Sequence, residues 1–167
     1  PEMRSTGEVL GIASSFGLAF FKAQEAAGQV LPESGTVLIT VGERDRERAL
    51  PAARQFSAMG FAIRATHGTC AFLAEHGIES ERILKLHEGR PNIADAIKNG
   101  EIQLVINTPA GKTSEFDDSY IRKAAIRHGV PYITTTAAAW AAAEGIAAHR
   151  DSRDEVRSLQ SFHGDIA

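Results

Sequence analysis

A layered αβα domain built on a mainly parallel sheet is the fold the sequence predicts, and three observations predict it. Short apolar runs bounded by glycine or polar residues recur along the chain, with TVLITV at 36–41 the clearest. Unbroken runs of that kind suit strands covered on both faces. Segments of helical spacing lie between the runs, and a glycine closes most of them. Strands alternating with helices imply parallel pairing through right-handed crossovers.

Each element has its own justification. Residues 1–35 read as an arm and linker. Within it SSFGLAFFKAQEAAG offers Ser14 or Ser15 as an N-cap and Gly28 as a stop. Phe16, Phe20, Ala23 and Ala27 recur at helical spacing, widened by Leu18 and Phe21, and predict the packed stripe. That stripe suits either its own domain or a neighbouring one, and VLPESG follows as linker. The run 36–41 is the first strand, between Gly35 and Gly42. RERALPAARQFSAMG is a helix ended by Gly60, with Pro51 acceptable if it falls in the first turn. FAIRA is a strand, and Thr69 to His76 a short helix capped by Thr69 and closed by Gly77. RILKL is a strand, IADAIKNG a helix with Gly100 past its end, and IQLVIN the next strand. SYIRKAAIRHG is a helix stopped by Gly129, PYITT the last short strand, and AAAWAAAEGIAAH an alanine-rich helix. A domain is thus expected over 36–150, with a tail over 151–167 that is helical around EVRSLQSFH.

Composition narrows the function. A chain of 167 residues with 43% hydrophobic and 23% charged residues suits one globular domain plus an arm. Lys and Arg number 18 against 21 Asp and Glu, a formal net charge of −3. No general electrostatic attraction to nucleic acid or to a membrane surface follows, so any anion must be caught by a local cluster of donors. The single Cys70 excludes an intrachain disulfide and fits a reducing cytoplasm. No apolar run approaches a membrane span, and the opening lacks the pattern of a signal peptide. The opening PEMRSTGEVLG, without an initiator methionine, is expected to continue from a longer polypeptide.

In parallel α/β sheets ligands sit beyond the carboxyl ends of the strands. Those ends carry Thr40 and GERDRER, then THGT, then Lys85, His87 and EGRPN, then NTPAGKTS. Gly68 lets backbone approach a ligand, and the helix opened at THGT offers free N–H groups to an anion. Arg46 and Lys85 can close on that anion from neighbouring strand ends. Taken singly, each residue has a plainer reading: threonines that cap, a solvated lysine, an asparagine that holds a turn at position 107. Their convergence at consecutive strand ends favours a phosphate site. His67 and His87 lack further ligands at zinc spacing, so no metal is expected. Cys70 is read as a small buried thiol, and GKTS at 111–114 lacks the glycine that a P-loop needs five residues earlier.

The segments PEMRSTGEVLG, ATHGT, HEGRPNIADAIKNG and VINTPAGK together resemble the C-terminal part of the carbamoyl-phosphate synthetase large subunit, over essentially all 167 residues. The resemblance implies a methylglyoxal-synthase-like fold and a regulatory, non-catalytic role at the end of a multidomain ligase. It implies that 1–35 joins a preceding ATP-grasp domain, that the parent uses ATP with magnesium or manganese, and that a glutaminase small subunit is its partner. The effector it implies is a nucleoside monophosphate, uridine monophosphate ahead of inosine monophosphate, controlling carbamoyl phosphate supply for pyrimidine and arginine synthesis.

Carried across residue by residue, the resemblance assigns the phosphate to Thr66, Thr69, Arg46 and Lys85, with Thr40 and Asn107 lining the site. Leu86 and Ile93 match positions beside the nucleoside. Arg46 replaces a lysine of one branch, keeping charge but changing donor geometry. Pro109 replaces a threonine, removing one hydroxyl. Ornithine, an activator in part of the family, is implied to meet the domain near Thr134, where Ile133 replaces an aspartate. The alternative is a stand-alone methylglyoxal synthase acting on dihydroxyacetone phosphate, which needs a carboxylate base and a histidine beside the phosphate. The loop HEGRPN has no aspartate in its turn, which speaks against that reading and leaves only His87 with Glu88 as a substitute. A purine-biosynthetic cyclohydrolase domain shares the fold but lacks the PEMRSTGEV opening.

Overall fold

The computed structural model describes residues 7–108, 115–151 and 157–164. Five parallel strands form one sheet: β1 (Thr36–Val41), β2 (Ala62–Ala65), β3 (Glu81–Arg82), β4 (Leu104–Thr108) and β5 (Tyr132–Ile133), in the order β3-β2-β1-β4-β5. Seven α-helices accompany them among the described residues. They are α1 (Phe16–Ala26), α2 (Arg46–Ala58), α3 (His67–Glu75), α4 (Ile93–Lys98), α5 (Glu115–Arg127), α6 (Thr136–Asp151) and α7 (Leu159–Gly164).

Alternation along the strands builds the two cores. Val37, Ile39 and Val41 join Ile63, Ile106 and Ile133 on one face, under Phe56 of α2, Leu73 of α3 and Ile146 of α6. Leu38 and Val105 point the other way, to Ile93 and Ile97 of α4 and Ile121 of α5. The expected αβα layering is therefore present, and topology dictates which helix lies where. The chain steps outward from β1 to β2 to β3 with α2 and α3 on one face. It then crosses back to β4 and steps to β5 with α4 and α5 on the other face, as right-handed crossovers require. The strand order reverses between β1 and β4, and the connections that leave their carboxyl ends turn to opposite faces.

The predicted stops hold: Gly28, Gly60, Gly77, Gly100 and Gly129 all have positive φ, which a side chain would strain. Ser15 caps α1 by accepting from Leu18 N–H at 3.3 Å. Four expectations are corrected. Pro51 is the sixth residue of α2, not a first-turn residue; it is solvent-exposed, so water can serve the carbonyl it leaves unpaired. RILKL keeps only Arg82 in a strand, followed by an isolated bridge from Leu84 to Asn92, and Leu86 enters a 3-10 turn. The helix expected from Thr69 starts at His67 with Thr66 as N-cap.

The stripe on α1 is the fourth. Gly17 and Phe21 are the buried residues, while Phe16 stays 73% exposed. Two glycines explain the shift: a Cβ on Gly145 of α6 would stand 2.5 Å from the Gly17 carbonyl oxygen. The helices therefore meet backbone to backbone along Gly17 and Gly145, and Phe21 closes the seam by stacking on His149 with ring centroids 4.1 Å apart. The arm helix is packed on its own domain. In the tail, α7 forms within the predicted helical stretch, whose residues 155 and 156 lie outside the described residues.

Candidate functional site

Where the connections after β1 and β4 part, a cleft of about 300 Å³ opens at the topological switch point. Thr40, Arg46, Thr66, Gly68, Thr69, Lys85 and Asn107, the seven residues proposed from sequence, all line it. Thr134 does not; it lies half-buried at the end of β5, next to the buried Ile133. Leu86 and Ile93 are not among the lining residues either. Ile93 is completely buried beneath α4, because an apolar side chain in that helix's first turn faces the sheet.

Register places the hydroxyls. Thr40 and Thr66 end adjacent parallel strands, and their Oγ1 atoms approach to 3.4 Å. With its hydroxyl directed at Thr40, Thr66 gives no side-chain cap to α3. Thr69, in the first turn, turns back to β1: Val41 N–H donates to its Oγ1, and the hydroxyl can donate to the Val41 carbonyl, each at 3.4 Å. The start of α3 is thereby fixed against β1. Its first-turn N–H groups have no side-chain acceptor, and the positive end of the helix meets the cleft.

Arg46 opens α2 and lies across Gly68. A Cβ at position 68 would sit 2.5 Å from Arg46 Nη2, so glycine is what makes room for the guanidinium. Arg46 Nε is buried with no hydrogen-bond partner, the sole such side-chain N or O atom among the described residues. A buried unpaired donor costs free energy that an incoming acceptor would recover. Among the described residues no carboxylate lies within ion-pair distance of Arg46 or Lys85. The cleft nevertheless contains Glu43, Glu88 and Asp118. Glu88 accepts from the Lys85 backbone N–H at 3.0 Å, and Asp118 accepts from Asn107 Nδ2 at 3.1 Å. Asn107, 1% exposed, also donates to Tyr132 Oη at 2.7 Å.

Sequence reasoning missed Asp118 altogether. An acidic residue in the first turn of a helix reads as a complement to the helix dipole, and nothing in its spacing points at the cleft. His87 and Glu88, the substitute pair the alternative reading would need, point apart: His87 Nδ1 lies 2.9 Å from Asp117 Oδ2, while Glu88 turns to the Lys85 N–H. Cys70 is partly exposed; its thiol lies 3.4 Å from the Ser80 carbonyl and accepts from Ser80 Oγ at 3.2 Å. Pro109 and GKTS at 111–114 lie outside the described residues. Among the described residues no three His, Cys, Asp or Glu side chains form a group that could hold a metal ion. No described helix is long and apolar enough to cross a membrane.

Fold and cleft together define a parallel α/β domain with a polar recess at its switch point, into which open two cations that form no ion pair among the described residues. The chain belongs to the MGS-like domain family, whose model matches residues 48–134. It is 50% identical, over 98% of its length, to the carbamoyl phosphate synthase large chain, C-terminal section, of Aquifex aeolicus, covering 31% of that protein. Identity to the carbamoyl phosphate synthase large chain of Gemmatimonas aurantiaca is 53% over 98% of this chain and 15% of that one. The C-terminal section from Methanopyrus kandleri is 49% identical, with 98% and 30% covered. This chain thus spans less than a third of the length of these relatives. Among solved structures, methylglyoxal synthase from Elizabethkingia anophelis superposes with a TM-score of 0.53 at 17% identity, covering 65% of this chain and 76% of that one. That likeness extends to the fold.

Proposed function

We propose that this chain is the regulatory domain of a carbamoyl phosphate synthase large chain and that its cleft binds a nucleoside monophosphate, uridine monophosphate before inosine monophosphate. The observation that carries the reading is the meeting of unpaired cations, hydroxyls and an uncapped helix start in one recess, with the buried Arg46 Nε lacking an acceptor. A phosphate group supplies the acceptors all of these need. Arg46 and Lys85 provide charge, Thr66, Thr69 and Thr40 hydroxyls, and Asn107 an amide at the cleft wall. The domain itself is non-catalytic. ATP, magnesium or manganese, and the glutaminase partner belong to the other domains of the parent, which synthesises carbamoyl phosphate for pyrimidines and arginine. The nucleotide acts on that synthesis by binding unequally to two conformations of the whole enzyme.

Calorimetric titration of the chain with uridine monophosphate, inosine monophosphate and inorganic phosphate tests the site. Lys85→Ala should weaken nucleotide binding by roughly ten- to a hundred-fold, the loss of one charge-assisted contact. Unchanged affinity in a folded Lys85→Ala variant removes the phosphate assignment.

One observation favours a second reading, the elimination of phosphate from dihydroxyacetone phosphate. The Asp118 carboxylate lines the cleft, and His87 stands on Asp117 nearby. Incubation with dihydroxyacetone phosphate decides it: methylglyoxal above background that disappears in Asp118→Asn makes the chain a lyase.

A further inference from the structure

A second recess, separate from the first, runs between α4 and α5. It has a volume of about 610 Å³ and no residue in common with the switch-point cleft. Arg90, Lys98, Lys123 and Arg127 line it, against a single carboxylate, Asp95. Three excess positive charges thus gather on one groove of a chain whose formal net charge is −3. Asp95 is already engaged: it accepts from Asn92 N–H at 3.1 Å, and its carboxylate stands 3.8 Å from Arg90 Nε. Among the described residues no carboxylate lies within ion-pair distance of Lys98, Lys123 or Arg127. The exposed-side cluster of Arg64 shows the contrast, since that guanidinium reaches both Glu81 at 2.8 Å and Glu101 at 2.6 Å.

Helix stability explains only part of this placement. Lys98 and Arg127 stand in the last turns of α4 and α5, where the helix dipole favours cations. Arg90 precedes the start of α4, where a cation is unfavourable. Lys123 lies four residues before Arg127, a like-charge spacing that opposes the helix. Lys123 therefore works against local stability, and it shares the recess with Arg90, which its own helix start does not call for. Its floor is apolar, formed by Ala94 and Ala124, with Tyr120 half-exposed at 48% on one wall.

We infer that the α4–α5 groove is a docking surface for an acidic segment of another polypeptide, whose carboxylates pair with Arg90, Lys98, Lys123 and Arg127 while its backbone lies along the Ala94–Ala124 floor. Charge complementarity gives the sign of the partner. The small-residue floor at Ala94 and Ala124 suits a peptide chain, with an aromatic anchor at Tyr120. A single-stranded nucleic acid would want a series of stacking rings, and the groove has one. Outside the groove the chain is net negative, which repels a long polyanion and leaves a short segment unaffected beyond a screening length.

The test uses the whole chain and a fluorescein-labelled peptide of about twelve residues alternating Glu and Ala, read by fluorescence anisotropy. Saturable binding is expected at low salt, weakening several-fold as the salt is raised to physiological strength. Lys123→Glu combined with Arg127→Glu should weaken it at least about tenfold. Arg90→Ala with Lys98→Ala should weaken it in the same direction, each variant first matched to the parent by circular dichroism. Lys85→Ala should leave peptide binding unchanged, since that residue belongs to the other cleft. Absence of saturable binding at low salt overturns the proposal, as does full binding in both double variants. Equal or tighter binding of oligothymidylate of similar length assigns the groove to nucleic acid and overturns it too.

Discussion

Replacing Gly68 by alanine separates the cleft's chemistry from the fold's stability. Gly68 lies in the first turn of α3, and its backbone is not in the positive-φ region, so alanine is accepted by the main chain. The new Cβ would stand 2.5 Å from Arg46 Nη2 and 3.4 Å from its Cζ, where ordinary contact begins at 3.4 Å. The guanidinium must therefore withdraw by about 1 Å, and it can, being the far end of a flexible side chain. A charge-assisted hydrogen bond of about 2.7–2.9 Å does not survive such a withdrawal. Its loss costs about 1.5–3 kcal/mol, roughly ten- to a hundred-fold in affinity for uridine monophosphate. Stability should move the other way or not at all, because alanine exceeds glycine in a helix by up to ~1 kcal/mol. Calorimetry and a thermal melt on the same preparation read both quantities. Unchanged nucleotide affinity in Gly68→Ala would remove Arg46 from the phosphate cradle. A large fall in melting temperature would show that Arg46 cannot move, and that the pocket is part of the folding core.

Gly145→Ala should have the opposite profile, with binding retained and the melting temperature lowered by several degrees. Its Cβ meets the Gly17 carbonyl oxygen at 2.5 Å, backbone that cannot swing aside, and overpacking of that kind costs about 1–3 kcal/mol. A melt that matches the parent would disprove the close seam between α1 and α6. Glu101 has its carboxyl held below the usual glutamate range, chiefly by the hydrogen bond from Arg64. A group lowered on folding adds stability above its unfolded value and loses it as pH falls through the folded one. The stability difference between the parent and Glu101→Gln should be small, present at neutral pH and lost as pH falls below the usual glutamate range, as melts across acid pH would show. Ornithine should activate the full-length parent weakly or not at all, because Ile133 is 7% exposed within the core cluster and offers no polar atom. Strong activation in a synthesis assay would refute that.

What was legible in the sequence was whatever depends on local pattern. TVLITV, short, rich in β-branched residues and bounded by glycines, reads as a strand buried on both faces, and the glycines that end five helices announce themselves because no other residue takes positive φ so cheaply. Strand ends could be listed in order, so the cleft's hydroxyls and cations could be named before their distances were known. Features set by tertiary approach were not legible. A stripe through Phe16 and Phe20 is the stronger hydrophobic signal on α1, yet the seam runs through Gly17, because Gly145 lies opposite and lets two backbones touch. Pattern rewards large side chains, whereas close packing here rewards their absence.

The carboxylates of the cleft show the same limit from the side of charge. From the sequence, Arg46 and Lys85 could each be neutralised by any of several acidic neighbours, and a neutralised cation is a poor anion trap. Strand order resolves this. Because β1 and β4 send their helices to opposite faces, Asp118 arrives from α5 beside Asn107 and is held by that amide. Glu88 is held by the backbone N–H of Lys85, so its charge sits near the residue without meeting the ammonium in an ion pair. Glu88 and Asp118 each accept from a neutral donor, and Arg46 and Lys85 keep their hydrogen-bonding capacity. An arriving phosphate thus has little to displace. Its charge also falls close to Glu43, Glu88 and Asp118, which lie on three different connections of the fold. Glu43 lies on the connection before α2, Glu88 on the turn after Lys85, and Asp118 in the first turn of α5, so a phosphate bound there would act on all three segments. On the proposed reading, a nucleotide that binds one arrangement of these segments better than another would shift the equilibrium between them, and such unequal binding is what any effect on chemistry elsewhere in a parent enzyme would require.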